Sequence, residues 1–419
     1  MPERNVQQLI SDFTIAIRNL SRNVRRTAVS ALTVAGGIVA FSMASGFMAW
    51  AFDDMRDAAV RSQLGHVQIV RPDYFEKGIA DPYGYLLFNE EQMLPALADL
   101  RGVVSVTPRL AFTGLASLGD VTVSFTGEGV SPAGERPMSA RINIFEGRDL
   151  QGDGAREVIL GEGLANNLGA KVGDRIVLMA TPEKGGASAI EVDVVGVFHT
   201  TTKEFDDHAL RLPILQARQL MKVQGATSWV MLLDDHERTR PMIEMLEGII
   251  AQADALRGQY QLVPWSDLAD FYNKTVTLFS SQVQVVKVII GLIIVLSISN
   301  TQTMSVLERM TEIGTVLALG RDRLSVMRLF LIEGVLLGIV GGILGVALGA
   351  ILSWIVSAIG IPMPPAPGMA HGITARIYFT PAIALESLTL AVVTTLLAGV
   401  LPAYRASRLN IVDSIRHNQ

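Results

Sequence analysis

The chain has 419 residues, of which 49% are apolar and 18% charged, with a formal net charge of −5. That balance excludes a general nucleic-acid binder, whose footprint is a long basic patch. With no cysteine anywhere, disulfides, thiol nucleophiles and thiolate metal sites are excluded too.

The apolar residues fall in uninterrupted blocks, the pattern of membrane spans rather than of one large core. Residues 1–27 read as an amphipathic helix carrying Arg18, Arg22, Arg25 and Arg26. Residues 28–50, "AVSALTVAGGIVAFSMASGFMAW", contain no charge and at about 1.5 Å per residue can cross a hydrocarbon core of about 30 Å. A cleaved signal peptide is disfavoured, because its apolar region runs only about 7–15 residues.

A large segment, 51–275, follows. Strand-like alternation or β-branched enrichment appears at 65–70, 103–110, 121–130, 157–160, 175–180 and 190–200. Helical patterns lie between them, at 90–100, 161–169, 214–222 and 236–254. Gly and Pro clusters at 131–137, 151–154 and 181–187 set off 131–200 as a β-rich lobe. Three more apolar blocks close the chain: span two over 276–304, span three over 327–359 and span four over 381–402. A charged connector at 305–326, a loop at 360–380 and a tail at 403–419 complete it. The fold class expected is an α-helical membrane protein with four transmembrane helices and a two-lobed mixed α/β domain inserted between the first two.

Lys and Arg near the span ends set orientation. The four N-terminal arginines, then Arg309, Arg321, Arg323 and Arg328, then Arg405, Arg408 and Arg416 gather at one side, while loop 360–380 has only Arg376. Both termini and the 305–326 connector are thus expected in the cytoplasm, and 51–275 outside the cell membrane.

Catalytic motifs are missing from the sequence. "GLANNLGAKVGD" at 163–174 lacks the Gly-Lys-Ser/Thr of a phosphate loop. There is no G-x-S-x-G elbow and no H-E-x-x-H helix. His199, Glu204, Asp206, Asp207 and His208 crowd into "HTTTKEFDDH", with the donors of a metal site and, more commonly, the makeup of a solvated loop. Glu333 and Glu386 lie in apolar spans, where an ionisable group is a functional candidate. Each is near a span end, so snorkelling to the interface is the favoured reading. Gly334, Gly338 and Gly342, with Gly341, Gly345 and Gly349, form small-residue faces for close helix packing in lipid. Met43, Phe47 and Trp50 share one face of span one: either ordinary lipid contact or an adaptable wall for an acyl chain.

Within the connector, apolar residues recur at Val306, Met310, Ile313 and Leu317, with Glu308, Arg309, Glu312 and Thr315 elsewhere on the surface. Gly320 stops this helix, and Arg321 to Arg323 lead into span three. It is either an interfacial connector or a docking helix for a cytoplasmic protein. The stretch "ERMTEIGTVLALGRDRLSVMRLFLIEGVLLGIVGGILG" resembles the signature of the MacB/FtsX-like ABC transporter permeases, which include the lipoprotein-releasing LolC/LolE branch. The matching positions are Glu308, Arg309, Glu312, Ile313, Gly314, Ala318, Leu319, Gly320, Glu333, Gly334 and Gly342. "AIRNLSRNVRRTAVSALTVAGGIVAF", "VILGEGLANNLGAKVGDRIVL", "VVGVFHTTTKEFDDHALRLPILQARQLM" and "LPAYRASRLNIVDSIR" extend the similarity end to end. "GHVQIVRPDYFEKG" resembles the lipoprotein-releasing branch.

The resemblance implies an inner-membrane permease that binds no cofactor itself, with ATP and Mg on a dimeric cytoplasmic ATPase encoded separately. MacB carries that ATPase fused ahead of the first span. It also implies a second permease subunit, identical or homologous, a lipid or lipoprotein substrate, and a periplasmic carrier or adaptor. Glu308, Arg309, Glu312, Ile313, Gly314, Ala318, Leu319, Gly320 and Arg321 would then form the coupling helix. Alternatives are efflux of a small amphiphile through an adaptor and FtsX-like control of a cell-wall hydrolase.

Overall fold

The computed structural model describes residues 2–408 except 80, 201, 253–255, 257, 321 and 365–371. In chain order come α1 (Pro2–Arg22), α2 (Val24–Ala59), β1 (Val67–Val70), α3 (Glu90–Ala98), β2 (Val103–Leu118) and β3 (Val121–Val130). Next are α4 (Pro132–Glu135), β4 (Asn143–Gly147), β5 (Glu157–Gly161), α5 (Glu162–Leu168), β6 (Arg175–Ala180) and β7 (Ser188–His199). Then α6 (Lys203–Asp206), β8 (Ala209–Pro213), α7 (Ile214–Met221), β9 (Ser228–Leu233), α8 (Thr239–Gln252), β10 (Gln261–Pro264) and α9 (Trp265–Leu268). Last are α10 (Asp270–Glu308), α11 (Met310–Ala318), α12 (Arg323–Ile359), β11 (Ile361–Met363), β12 (Ile373–Ala375) and α13 (Pro381–Ser407). The chain packs as two units, one of residues 1–52, 276–362 and 374–419, the other of 53–275 with 363–373.

The first unit is helical. The helices starting at Val24, Asp270, Arg323 and Pro381 are each long and apolar enough to cross a membrane. Both α2 and α10 are longer than the spans expected from hydropathy, because helix propensity continues after the apolar run ends. Asn23 separates α1 from α2, its carbonyl accepting from the amides of Arg26 and Thr27 at 3.1 Å. Thr380 caps α13, its hydroxyl accepting from the Ile383 amide, with Pro381 at the first helical position where no donor is needed. Helix α12 is the centre of the bundle. A side chain at Gly334, Gly338 or Gly342 would strike α13, at Thr395, Ala391 and Leu388, whereas one at Gly341, Gly345 or Gly349 would strike α2, at Val34, Ile38 and Ser42. Two glycine seams therefore hold two different neighbours at backbone distance. Val34, Ile38, Ile294, Leu337 and Ala391 pack together inside. α10 is the least covered helix, with 17% of its apolar window buried against 33–44% for the others.

The second unit is built on one ten-stranded mixed sheet, ordered β10-β1-β9-β2-β3-β8-β5-β7-β4, with β6 pairing both β2 and β7. That last pairing closes β2, β3, β8, β5, β7 and β6 into a six-stranded ring. Phe112, Phe125, Leu160, Leu178 and Leu210 fill its core together with Leu164 of α5 and Leu220 of α7. The remaining strands, β10, β1 and β9, extend from β2 as a wing. Trp229, Met231 and Leu233 of β9 pack on one wing face with Leu97 of α3 and Leu246 of α8, and Val230 and Leu232 pack on the other with Met138 and Trp265. Two lobes are present, but the β-rich one is wider than 131–200. β2, β3 and β8 are needed to close the ring, and β4 to β7 have no sheet apart from it.

Two buried arginines tie the start of this unit to the ring. Arg109 of β2 donates Nε to Glu135 at 2.6 Å and Nη2 to the second oxygen at 2.9 Å. Arg211 of β8 donates Nε to Glu128 at 2.8 Å. Arg109 Nη1 and Arg211 Nη2 reach the carbonyls of Gln63 and Ser62, at the end of the π-helical turn that follows α2. These are the orphan acceptors of a helix terminus, so the arginines satisfy them without water. Nearby, His66 is fully buried. Its Nδ1 accepts from the Leu233 amide and its Nε2 meets His236 Nδ1, both at 3.0 Å. Burial, then His236 and Arg61, pushes the His66 pKa down to about 4.

Two candidate donors of the run at 199–208, Asp206 and His199, have partners within the fold. Asp206 is buried, and its carboxylate accepts from the Thr200 amide at 3.0 and 3.1 Å and from the Thr200 hydroxyl at 2.8 Å. His199 bonds Asn143 and lies against Phe145. Among the described residues no group of three or more His, Asp or Glu side chains is placed to hold a metal ion.

Candidate functional site: the elbow between α10 and α12

The charged connector folds as an elbow. Arg309 leaves the helical region (φ −106°, ψ 16°) and separates α10 from α11. Gly320, at φ +90°, supplies the left-handed turn that a side chain would oppose. Asp322 then opens α12 from an extended conformation. The elbow's inner face is apolar. Val306 and Ile313 pack with Val326 and Phe330 of α12 and Ala403 and Ala406 of α13, with Leu317 alongside.

Beneath that face lies a charged pair. Arg309 and Glu333 are both buried, with Arg309 Nη1 donating to Glu333 Oε1 at 3.3 Å. The Asn19 amide of α1 donates to the same carboxylate at 2.6 Å, and the Asn19 carbonyl accepts from Arg309 Nη2 at 3.4 Å. Glu333 therefore does not snorkel. It faces the bundle, because a cation from the elbow and an amide from α1 meet it there. These groups border a cavity of about 50 Å³, lined also by Ser30, Thr301 and Gln302, polar enough for a few waters. Glu386, by contrast, is exposed and pairs with Lys287 of α10 at 2.6 Å, and that ammonium lies 5.7 Å from the Phe41 ring.

The outer face of the elbow is open. Glu308 and Glu312 are exposed and pair with Arg26 at 2.6 Å and Arg22 at 2.7 Å. Thr315, Ala318 and Gly320 are exposed, and Leu319 is 83% exposed, with Leu324 at 79%. Of the nine expected coupling positions, Arg309, Ile313 and Gly314 face inward and brace the elbow. Glu308, Glu312, Ala318, Leu319 and Gly320 face outward, where a partner can reach them. Arg321 lies outside the described residues.

In α2, Phe47 and Trp50 have ring centroids 5.9 Å apart. Trp50 is buried, leaving Met43 and Phe47 partly accessible. The sequence reading missed Asn19, Asp12 and the pairing role of Arg22 and Arg26. Asp12 of α1 is buried and accepts from Arg328 Nε of α12 at 2.8 Å. The signal was present in the amphipathic N-terminal helix with its arginines, which served only to set orientation.

Residues 27–249, more than half of the chain, match the MacB-like periplasmic core domain. Residues 285–411 match the FtsX-like permease C-terminal region. The chain belongs to the MacB/FtsX-like family of ABC transporter permeases. Within this permease family it is 25% identical over 282 residues to a Xylella fastidiosa lipoprotein-releasing system transmembrane protein, LolC, covering 63% of this chain and 65% of that one. It is 24% identical over 413 residues to LolC of Neisseria meningitidis serogroup B, with 92% of each covered. A macrolide export ATP-binding/permease protein, MacB, of Rhodospirillum rubrum is 27% identical over 96% of this chain and 59% of its own length. The chain thus spans about two thirds of the first of these relatives. The elbow lies inside the FtsX-like match, and the ring with the wing strands β1 and β9 inside the MacB-like one, which ends before β10.

Proposed function

We propose that this permease is a non-catalytic subunit that relays the stroke of a separately encoded cytoplasmic ATPase to its outer domain, releasing a lipid-anchored substrate from the membrane. The observation that carries the reading is the elbow itself: an outward face of Glu312, Ala318 and Leu319 over an inner face fixed by packing and by the buried Arg309–Glu333 pair. A push on such an element moves α10 and α12 rather than being absorbed locally. The positive-inside pattern supports placing it, and both termini, in the cytoplasm. The lipid-anchored cargo is supported by the LolC relative that matches almost end to end. Exposing an acyl chain to water costs about 0.8 kcal/mol per CH₂, so release needs an outside energy source. Met43 and Phe47 offer an adaptable apolar wall at α2 for such a chain. The MacB relative favours a second reading, export of a small amphiphile through a periplasmic adaptor.

The complex purified from its own host and placed in nanodiscs should contain an ABC ATPase and transfer a lipoprotein to a soluble carrier only with ATP. Glu312→Arg with Leu319→Asp should abolish ATPase capture while leaving the fold intact. If no ATPase is ever captured, or if the double variant transfers as well as wild type, the reading fails. Capture of an adaptor with no lipoprotein transfer selects amphiphile export.

A further inference from the structure

At the break between α1 and α2 lies an open cleft of about 560 Å³ lined by Arg22, Asn23, Val24, Arg25, Arg26 and Glu308. Two of its cations already have carboxylates, Arg22 with Glu312 and Arg26 with Glu308. Arg25 in the cleft, and Arg18 one turn before Arg22 on α1, are exposed and have no ion-pair partner among the described residues. The cleft therefore carries uncompensated positive charge. Beside it runs an apolar stripe: Val29 and Leu32 follow Arg25 at i+4 and i+7 on one face of α2, exposed to 65% and 62%, and Val24 is 65% exposed. On α1, Phe13 and Ile17 are also exposed, while Ala16 and Asp12 of the same helix are buried.

From this juxtaposition we infer that the cleft binds the headgroup phosphate of an anionic phospholipid, whose acyl chain lies along Val29 and Leu32. The charge alone would suit free phosphate. The apolar stripe running from Arg25 selects a lipid, since it is positioned to take a hydrocarbon chain from a headgroup held at the arginines. Guanidinium forks match phosphate oxygens bidentately, and Arg22 and Arg26 line the same cleft. A lipid phosphate there competes with Glu312 and Glu308 for those two arginines. Binding thus loosens the tie between the α1–α2 break and the elbow, making the elbow's restraint depend on the charge of the surrounding leaflet. The effect on coupling rests on the reading of the elbow as an ATPase contact; the lipid site itself does not.

The test uses the full chain without any ATPase, so its failure is separate from failure of that reading. The protein is purified in mild detergent with an equimolar mixture of phosphatidylglycerol and phosphatidylcholine, and the retained lipid is counted by native mass spectrometry. Wild type should retain phosphatidylglycerol preferentially. Each arginine near anionic lipid contributes about a fivefold factor, so Arg18→Gln with Arg25→Gln should lower the preference by about 25-fold. Glu308→Gln with Glu312→Gln should raise it by freeing Arg26 and Arg22, and this gain-of-binding arm stands even if the arginine variant misfolds. Equal retention of both lipids by wild type overturns the proposal, as does a preference unchanged in the carboxamide variant. Displacement of phosphatidylglycerol by soluble glycerol phosphate at equal concentration overturns the lipid in favour of a phosphate site.

Discussion

The buried pair under the elbow gives the sharpest prediction. Replacing Glu333 with Leu leaves the Arg309 guanidinium, its side chain 10% exposed, with the Asn19 carbonyl at 3.4 Å as its one acceptor among the described residues. An unpaired buried charge costs about 3–5 kcal/mol, whereas removing both partners and filling the space with apolar atoms is near neutral. Glu333→Leu should therefore destabilise the bundle by about 3 kcal/mol or more, and Arg309→Met with Glu333→Leu should recover most of it. The resulting interaction energy of about 2–3 kcal/mol is at the upper end for residues in contact. Unfolding in mixed micelles titrated with dodecyl sulfate, followed by the fluorescence of the four tryptophans, measures Glu333→Leu, Arg309→Met alone and the double variant. Additive effects of the two single changes would show that the pair does not brace the elbow. Activity should fall in the single variant and return with the double one if rigidity beneath the elbow is what matters.

Other consequences are accessible with the same protein. Gly345→Leu puts a Cβ 2.7 Å from that of Ile38 and 3.0 Å from the Ala35 carbonyl, so α2 must move away, at about 1–3 kcal/mol; Ile343→Leu, on an exposed part of the same helix, should be silent. His66 is pushed to about 4 when folded against 6.5 in its ordinary state. The unfolded chain therefore binds more protons between those values, and stability, complete above pH 6.5, should fall by about 3 kcal/mol as the pH drops to 4. His66→Gln should flatten that part of the profile, and an unchanged slope in the variant would remove His66 as its source. Asp206→Asn weakens the charge-assisted bonds to Thr200 and should cost about 1–2 kcal/mol, while zinc or a chelator leaves the melting temperature of wild type unchanged.

The spans and the 51–275 excursion were legible because hydropathy is a local property and the blocks are long. Observed packing places the boundary at residues 53–275, within two residues of the expected one. Strands 121–130 and 175–180 were read to the residue, the first because it alternates and the second because it is a short apolar run with β-branched residues between turn signals. β9, "SWVMLL", does not alternate, because it is buried on both faces, and such runs carry no period-2 signal. β8 was hidden by Arg211, a charge in a fully buried strand that makes sense only beside Glu128. Glu333 was misread for the same reason: Arg309 is 24 residues away and Asn19 is 314. Partners so distant in sequence leave no mark on local pattern.

α2 and α13 occupy both glycine seams of α12, and at Gly334 the Gln302 side chain of α10 comes as close as α13 does. What α12 still presents outward is branched or bulky, Val340, Ile343 and Leu344 among it. Additional membrane neighbours must then meet side-chain surfaces, and most of the bare surface belongs to α10. The bundle divides its labour accordingly: three helices share the close backbone seams, and the fourth, α10, anchored through Ile294 and Ile298, keeps most of its apolar surface bare.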